Sequence, residues 1–347
     1  MEIPYSRMVV GGLPWYSVLV VAGIAVAIAL ASMEEKRLKL PQDTVVDLAL
    51  WVVPMGIIGA RAYYVAMSWQ SFAARPLTAL YVWQGGLAIY GGIIGGAIGA
   101  WLYGRRRKIP FLQLADLIMP GVLLAQAIGR WGNYFNMEAY GPEITNQTLQ
   151  FFPFGVLIPE NGTHVWHMAT FFYESMWNLA GFLVLWGLRK KQKQHGNMLA
   201  WYLIIYGSGR FIIEQLRQDS LYVGGVKASQ WLSLLLCVVA AGVLLWRNAR
   251  EKRHFLLGAA CAALWVLRWF ALDQPEIYGA AMLIAGVGAI WLLRNNKALW
   301  LLAGMLALDA VGLSLSLGGG ELAGYAHALL CSLTLPGMLI ALCSQEN

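Results

Sequence analysis

The chain has 347 residues, 59% hydrophobic and 12% charged, with a net charge of +7 and a mean hydropathy of +0.58. A soluble domain carries about 25% charged residues, and a chain this apolar cannot stay solvated and unfolded. The apolar residues come in blocks near 20 long, the length that crosses a bilayer core of about 30 Å. Disorder and a single soluble core are excluded, and the composition specifies an all-α polytopic membrane protein.

In chain order, blocks at 13–32, 44–67, 85–104, 111–131, 169–188, 198–216 and 229–246 predict seven spans. Four shorter, closely spaced blocks follow near 255–272, 278–293, 298–317 and 325–343. Only Arg7 precedes the first block and no small-residue cleavage site follows it, so that block reads as a permanent span rather than a removed signal. Lys and Arg gather in alternate loops: 36–39, 105–108, 189–193, 247–253 and 294–297 hold 17 of the 25. This asymmetry places those loops inside, the N-terminus outside and, with eleven spans, the C-terminus in the cytoplasm. Because no face collects the positive charge, the distribution argues against a nucleic-acid partner. Cys237, Cys261, Cys331 and Cys343 lie in apolar blocks without metal-ligand spacing, and read as buried small apolar residues.

The outer side holds one sizeable polar insertion, 132–167, which predicts a small extracytoplasmic head of loops with a hairpin. His164 and His167 within it have no third ligand nearby and read as polar loop residues, so no metal site is predicted. No internal repeat of the kind found in inverted-repeat transporters is present.

Arginine near the centre of a span costs about 2.5–3.5 kcal/mol, so each one needs a partner or a task. Arg61, Arg130, Arg210 and Arg268 stand in or at the ends of predicted spans. Arg210, Glu214 and Arg217 fall at i, i+4 and i+7, on one helix face. That face is either a salt-bridged interfacial surface or an anion site, in which guanidiniums partly held by Glu214 meet the phosphate of a lipid headgroup. Gly91, Gly95 and Gly99 recur every four residues and permit close helix contact, leaving Tyr90 at the start of a smooth face. Ser208, in YGSGR, has no general-base histidine in a suitable span and is discounted as a nucleophile.

The segment GRWGNYFNMEAYG (129–141) resembles the signature of the prolipoprotein diacylglyceryl transferases. Trp15–Tyr16, GARAYYV (59–65), WQGGLAIYGG (83–92), TFFYESMWN (170–178) and YGSGRFIIEQLR (206–217) resemble further family segments in the family's order. Tyr90 stands where many members have histidine, and His167 is followed by Met168 where a His–Pro pair is usual. The resemblance implies a seven-span transferase core over residues 1–250, with its head at 132–167, and an extension at 251–347 to which it assigns no role. It implies a multi-pass protein of the bacterial plasma membrane that moves the diacylglyceryl group of phosphatidylglycerol onto the lipobox cysteine of prolipoprotein signal peptides. No cofactor is needed for that reaction.

For the site, the resemblance supports Tyr16, Arg130, Asn133, Glu138, Gly141, Arg210, Glu214 and Arg217. Arg130 and Arg210 are expected to clamp the phosphate, Asn133 and Asn136 to hydrogen-bond the headgroup glycerol, and Glu138 and Glu214 to orient the arginines. Tyr16 and Tyr90 are expected to position the donor lipid or help remove the thiol proton. An anionic-lipid transporter or flippase is the alternative that intramembrane arginines also suit. A non-enzymatic membrane scaffold would explain the glycines but not the polar cluster at 130–141.

Overall fold

Seven long helices carry the described part of the chain. The computed structural model describes residues 7–9, 12–160, 162–192, 194–217, 222–223 and 226–248. The predicted spans from 255 to 343, with Arg268, Cys261, Cys331 and Cys343, lie outside the described residues. The helices are α1 (Trp15–Arg37), α2 (Thr44–Met67), a one-turn α3 (Trp69–Phe72), α4 (Ile89–Arg107), α5 (Phe111–Asn136), α6 (Thr170–Leu188), α7 (Asn197–Leu216) and α8 (Ala228–Asn248). Among the described residues, α1, α2 and α5 are long and apolar enough to cross a membrane, consistent with a polytopic membrane protein. Two antiparallel hairpins qualify the all-helical expectation: β1 (Gly155–Glu160) with β2 (Thr163–Met168), and β3 (Tyr222–Val223) with β4 (Val226–Lys227).

Two boundaries differ from the sequence reading for local reasons. The third apolar block begins at 85, yet α4 starts at Ile89. Gly85 and Gly86 have φ values of +85° and +70°, left-handed backbone that a right-handed helix cannot include. At the other boundary α5 runs on to Asn136 instead of ending at 131, carrying the first polar residues of the insertion on a helix rather than a loop.

Close contacts divide the chain into two units. One comprises Val20–Ala125 with Trp186–Leu199. In it α2 and α4 run antiparallel, with Gly91 against the Gly59 carbonyl, Gly95 against that of Met55 and Gly99 against that of Trp51. A methyl group at Gly99 would stand 2.8 Å from the Trp51 oxygen, and those at Gly91 and Gly95 would be closer still. The every-fourth-residue stripe is therefore a backbone-to-backbone seam. Gly121 of α5 crosses Ala27 of α1 in the same manner. Carboxylates finish the helix ends of this unit: the buried Glu35 accepts from the Asp43 and Val45 amides, and the half-buried Asp116 from those of Gly196 and Leu199. Glu34 pairs with Arg37 at 2.6 Å and Arg189 at 2.7 Å.

The other unit takes the described residues up to Leu19, Gln126–Leu185 and those from Ala200 onward. Here α7 lies against α6 and α8 at two glycines. A methyl group at Gly209 would enter the indole of Trp177, and one at Gly207 would meet the Cys237 sulfur at 2.6 Å. YGSGR is thus a packing motif. Ser208, between the glycines, is buried and donates to the Ile205 carbonyl of its own helix at 3.0 Å.

Filling the α2–α4 seam should cost about 1–3 kcal/mol, the penalty for overpacking a tight contact. Gly95→Leu is expected to lower the unfolding midpoint in detergent, whereas Gly187→Leu, where an added Cβ meets nothing within 4 Å, is expected to leave it nearly unchanged. Equal midpoints for the two variants would disprove the seam.

Candidate active site

One face of α7 carries Tyr202, Tyr206, Arg210 and Glu214 at four-residue intervals, a polar stripe on a largely apolar helix. Each member has a neighbour. Gln126 of α5 donates to the Tyr202 hydroxyl at 2.9 Å. The Tyr202 and Tyr206 rings stack with centroids 5.7 Å apart, and the Tyr206 phenol stands beside Arg130.

At the centre is a residue that the sequence reading passed over. Glu174 of α6 places one carboxylate oxygen 2.6 Å from Arg130 Nη2 and the other 3.2 Å from Arg210 Nη1. Arg210 Nη2 also meets Glu214 Oε2 at 2.5 Å, and Ser229 of α8 donates to the other oxygen of Glu214 at 2.6 Å. Four helices therefore contribute to one network: α5 gives Arg130, α6 Glu174, α7 Arg210 and Glu214, and α8 Ser229. Its burial is asymmetric. The Glu174 and Glu214 side chains are 3% and 2% exposed, whereas those of Arg130 and Arg210 are 19% and 15% exposed. The carboxylates are buried, and the arginine side chains keep some exposure. Arg217, just past the end of α7, adds its positive field at Arg130. Such an arrangement can receive an anion on a positive surface already anchored from below.

The signature segment closes beside this network. Asn133 and Asn136 both donate to Glu138 Oε1, at 2.9 and 3.2 Å. Glu138 is thus held by asparagines, and the carboxylates found on the two arginines are Glu174 and Glu214. The chain then turns back through Met137 and Ala139, both at positive φ, and is strapped to β2 and the start of α6. Gly141 donates to the Met168 carbonyl at 2.9 Å and Thr170 to that of Ala139 at 2.6 Å. A methyl group at Gly141 would come within 2.9 Å of both Met168 and Thr170, so glycine is required by the close approach. Tyr16 of α1 lies across Gly132, where an added Cβ would meet its ring at 2.6 Å, and remains 40% exposed.

His167 serves this strap. It is buried, with Nδ1 2.9 Å from the Gly141 carbonyl oxygen and Nε2 3.1 Å from Glu160. His164, three residues earlier on β2, faces the opposite side and is exposed, so the pair cannot share an ion. Tyr90 belongs to the other unit, where its ring lies 6.4 Å from that of Tyr63 at the start of α4. Arg61 is also in that unit and binds backbone carbonyls, not an acid. Glu174 had a sequence signal after all: an acid within an apolar helix carries the same cost as an arginine.

Two arginines held on buried carboxylates, built on helices and flanked by a strapped polar loop, form a polar network within a membrane protein of apolar helices. The family model described as prolipoprotein diacylglyceryl transferase matches residues 8–246, and the chain belongs to that family. It is similar to a phosphatidylglycerol–prolipoprotein diacylglyceryl transferase of Enterococcus faecalis, 44% identical over 253 residues, which are 70% of this chain and 90% of that protein. Proteins of the same name from Shouchella clausii and Streptococcus agalactiae serotype Ia are 40% and 39% identical. Those matches cover 69% of this chain in both cases, and 87% and 93% of the relatives.

Glu174→Gln keeps the shape of the side chain but leaves two guanidiniums facing a neutral amide. Removing one member of a buried ion pair costs about 3–5 kcal/mol. The variant is expected to unfold at a markedly lower temperature than the parent, while Glu138→Gln, at an exposed carboxylate, stays within a few degrees of it. Indistinguishable melting of Glu174→Gln and the parent would refute the anchoring role.

Proposed function

We propose that this protein transfers the diacylglyceryl group of phosphatidylglycerol to the lipobox cysteine thiol of a prolipoprotein. A carbon–sulfur bond forms at the glyceryl carbon, the carbon–oxygen bond to phosphate breaks, and glycerol 1-phosphate leaves. The observation that carries the reading is the pair of arginines, partly exposed as side chains, held on the buried carboxylates Glu174 and Glu214; the names of the relatives supply the substrates. As the bond to carbon breaks, a phosphodiester with one negative charge becomes a monoester that carries a second. Arg130 and Arg210 meet that growing charge, and the planar guanidinium suits two phosphate oxygens at once. Glu174 and Glu214 keep the two forks aimed before substrate arrives, and Arg217 reinforces the field. Asn133 and Asn136 hold Glu138 where it meets the headgroup glycerol, and Tyr16 borders the donor lipid.

The acceptor must lose a proton, because a free thiol with a pKa of about 8.5 is mostly protonated at neutral pH. Phenols are poor bases at neutral pH, and Tyr90 is given no proton-accepting role. It positions the incoming thiol through its hydroxyl, which both donates and accepts. A transporter of anionic lipid would leave no covalent product, and that separates the two readings.

Purified protein incubated with phosphatidylglycerol vesicles and a lipobox peptide should add a diacylglyceryl mass to the peptide; absence of that product sinks the reading. Arg130→Lys keeps the charge but loses the fork, so transfer is expected to fall about 100-fold or more, in line with removal of one oxyanion donor. Arg210→Ala should fall at least as far.

The orientation belongs to the same proposal: a seven-span core in the bacterial plasma membrane, the N-terminus and the 132–167 head outside, the C-terminus in the cytoplasm. Single cysteines placed at Thr148 and Lys108 test it. An impermeant maleimide on intact cells should label the first and spare the second, and the reverse pattern overturns the topology.

A further inference from the structure

Arg61 lies in α2 and is buried, at 7% exposure. Its partners are backbone carbonyls. Nε donates to Ala79 at 2.7 Å and Nη2 to Thr78 at 2.8 Å, while Nη1 is shared between Gly85 at 2.7 Å and Gly86 at 3.1 Å. These oxygens come from both ends of the segment between α3 and α4. Thr78 and Ala79 lie in a 3-10 turn, Pro76–Leu80, and the two glycines in the extended stretch before Ile89. Tyr64 and Phe72 flank the guanidinium carbon, at 5.8 and 5.2 Å from their ring centroids. One planar group thus ties a loop of more than ten residues to the helix it has just left.

The consequence falls on the start of α4. Gly86, at φ +70°, comes so near that a methyl group there would stand 2.7 Å from Arg61 Nη1 and closer still to the ring carbon Cε1 of Tyr64. The next helix residue of α2, Ala60, accepts the Ala88 amide at 3.1 Å. Gly91 then meets the Gly59 carbonyl. Tyr90 stands between the Ala88 hydrogen bond and the Gly91 contact, which fall on Ala60 and Gly59, the two residues before Arg61 in α2. We propose that Arg61 is a positioning residue for Tyr90: by pinning the 76–88 segment it fixes where α4 begins and where the Tyr90 hydroxyl is presented. This rests on the reading of Tyr90 given under Proposed function. Lysine cannot replace it, because one ammonium cannot reach oxygens on two sides as a fork does.

The test uses full-length protein in phosphatidylglycerol-containing nanodiscs, with hydrogen exchange over 76–88 and transfer to a lipobox peptide both measured. For Arg61→Lys we expect faster exchange at those amides and kcat lowered about 10-fold, with KM for the lipid within about twofold. Because Arg61 acts through Tyr90, the double variant Arg61→Lys/Tyr90→Phe should be no slower than Tyr90→Phe alone. Fully additive losses, or a loosened segment with parental kcat, would overturn the proposal while leaving Tyr90 in place. Parental turnover by Tyr90→Phe would instead remove the reading of Tyr90, and the role of Arg61 with it. Should Arg61→Lys fail to accumulate, Gly86→Ala disturbs the same junction with the arginine intact and is expected to give the same pattern. Unchanged exchange and turnover in Gly86→Ala would overturn the proposal too.

Discussion

A carboxylate with 3% of its side chain exposed, inside a bundle of apolar helices, is costly to bury unless cations pair with it. Glu174 meets this constraint by giving one oxygen to each of two guanidiniums, and much of the unit follows from it. Arg130 and Arg210 must project from α5 and α7 towards α6, which fixes how those helices face one another. Gly209 has no side chain because Trp177, one turn from Glu174, has to fit against α7. Glu214 and Ser229 complete the far side, so α8 is drawn into the same arrangement.

Arg61 faces the same cost of burial and meets it differently. Its charge is spread over four carbonyl dipoles, with no acid in the set. The difference matches what surrounds each arginine. Among the described residues, Arg130 and Arg210 pair with carboxylates that neighbouring helices supply. The segment before α4 is made of short 3-10 turns and left-handed glycines, whose carbonyls remain open. Arg61 therefore acts as structural cement for a loop, whereas the other two are cations held on acids.

Much of this was legible in the sequence because it repeats at short spacing. The apolar blocks at 44–67 and 169–188 lie within a residue of α2 and α6. The Gly91, Gly95, Gly99 stripe became the α2–α4 seam, and the i, i+4 relation of Arg210 to Glu214 became an ion pair. What escaped was long-range. Glu174 and Arg210 are 36 residues apart on different helices, and nothing in the local spacing couples them. Glu138 was expected on the arginines, yet the end of α5, immediately before it, supplies Asn133 and Asn136 first. The start of α4 was misplaced by four residues because Gly85 and Gly86 look helical in a hydropathy scan and are left-handed in space.

Placing acids beneath the arginines has a consequence for the proposed chemistry. Two bare guanidiniums would bind a phosphodiester and a monoester alike, and would stabilise the starting lipid as well as the departing product. Catalysis requires the stronger interaction to come later along the reaction path. With Glu174 and Glu214 already engaged, much of the positive charge is neutralised before substrate arrives, and a singly charged diester gains little from it. The second charge, appearing as the carbon–oxygen bond breaks, meets donors whose orientation was set on folding and need not be reorganised. In the proposed reaction the same neutralisation would limit how tightly the monoester is retained. A cluster of arginines alone would hold its product; a cluster of arginines resting on acids can turn over.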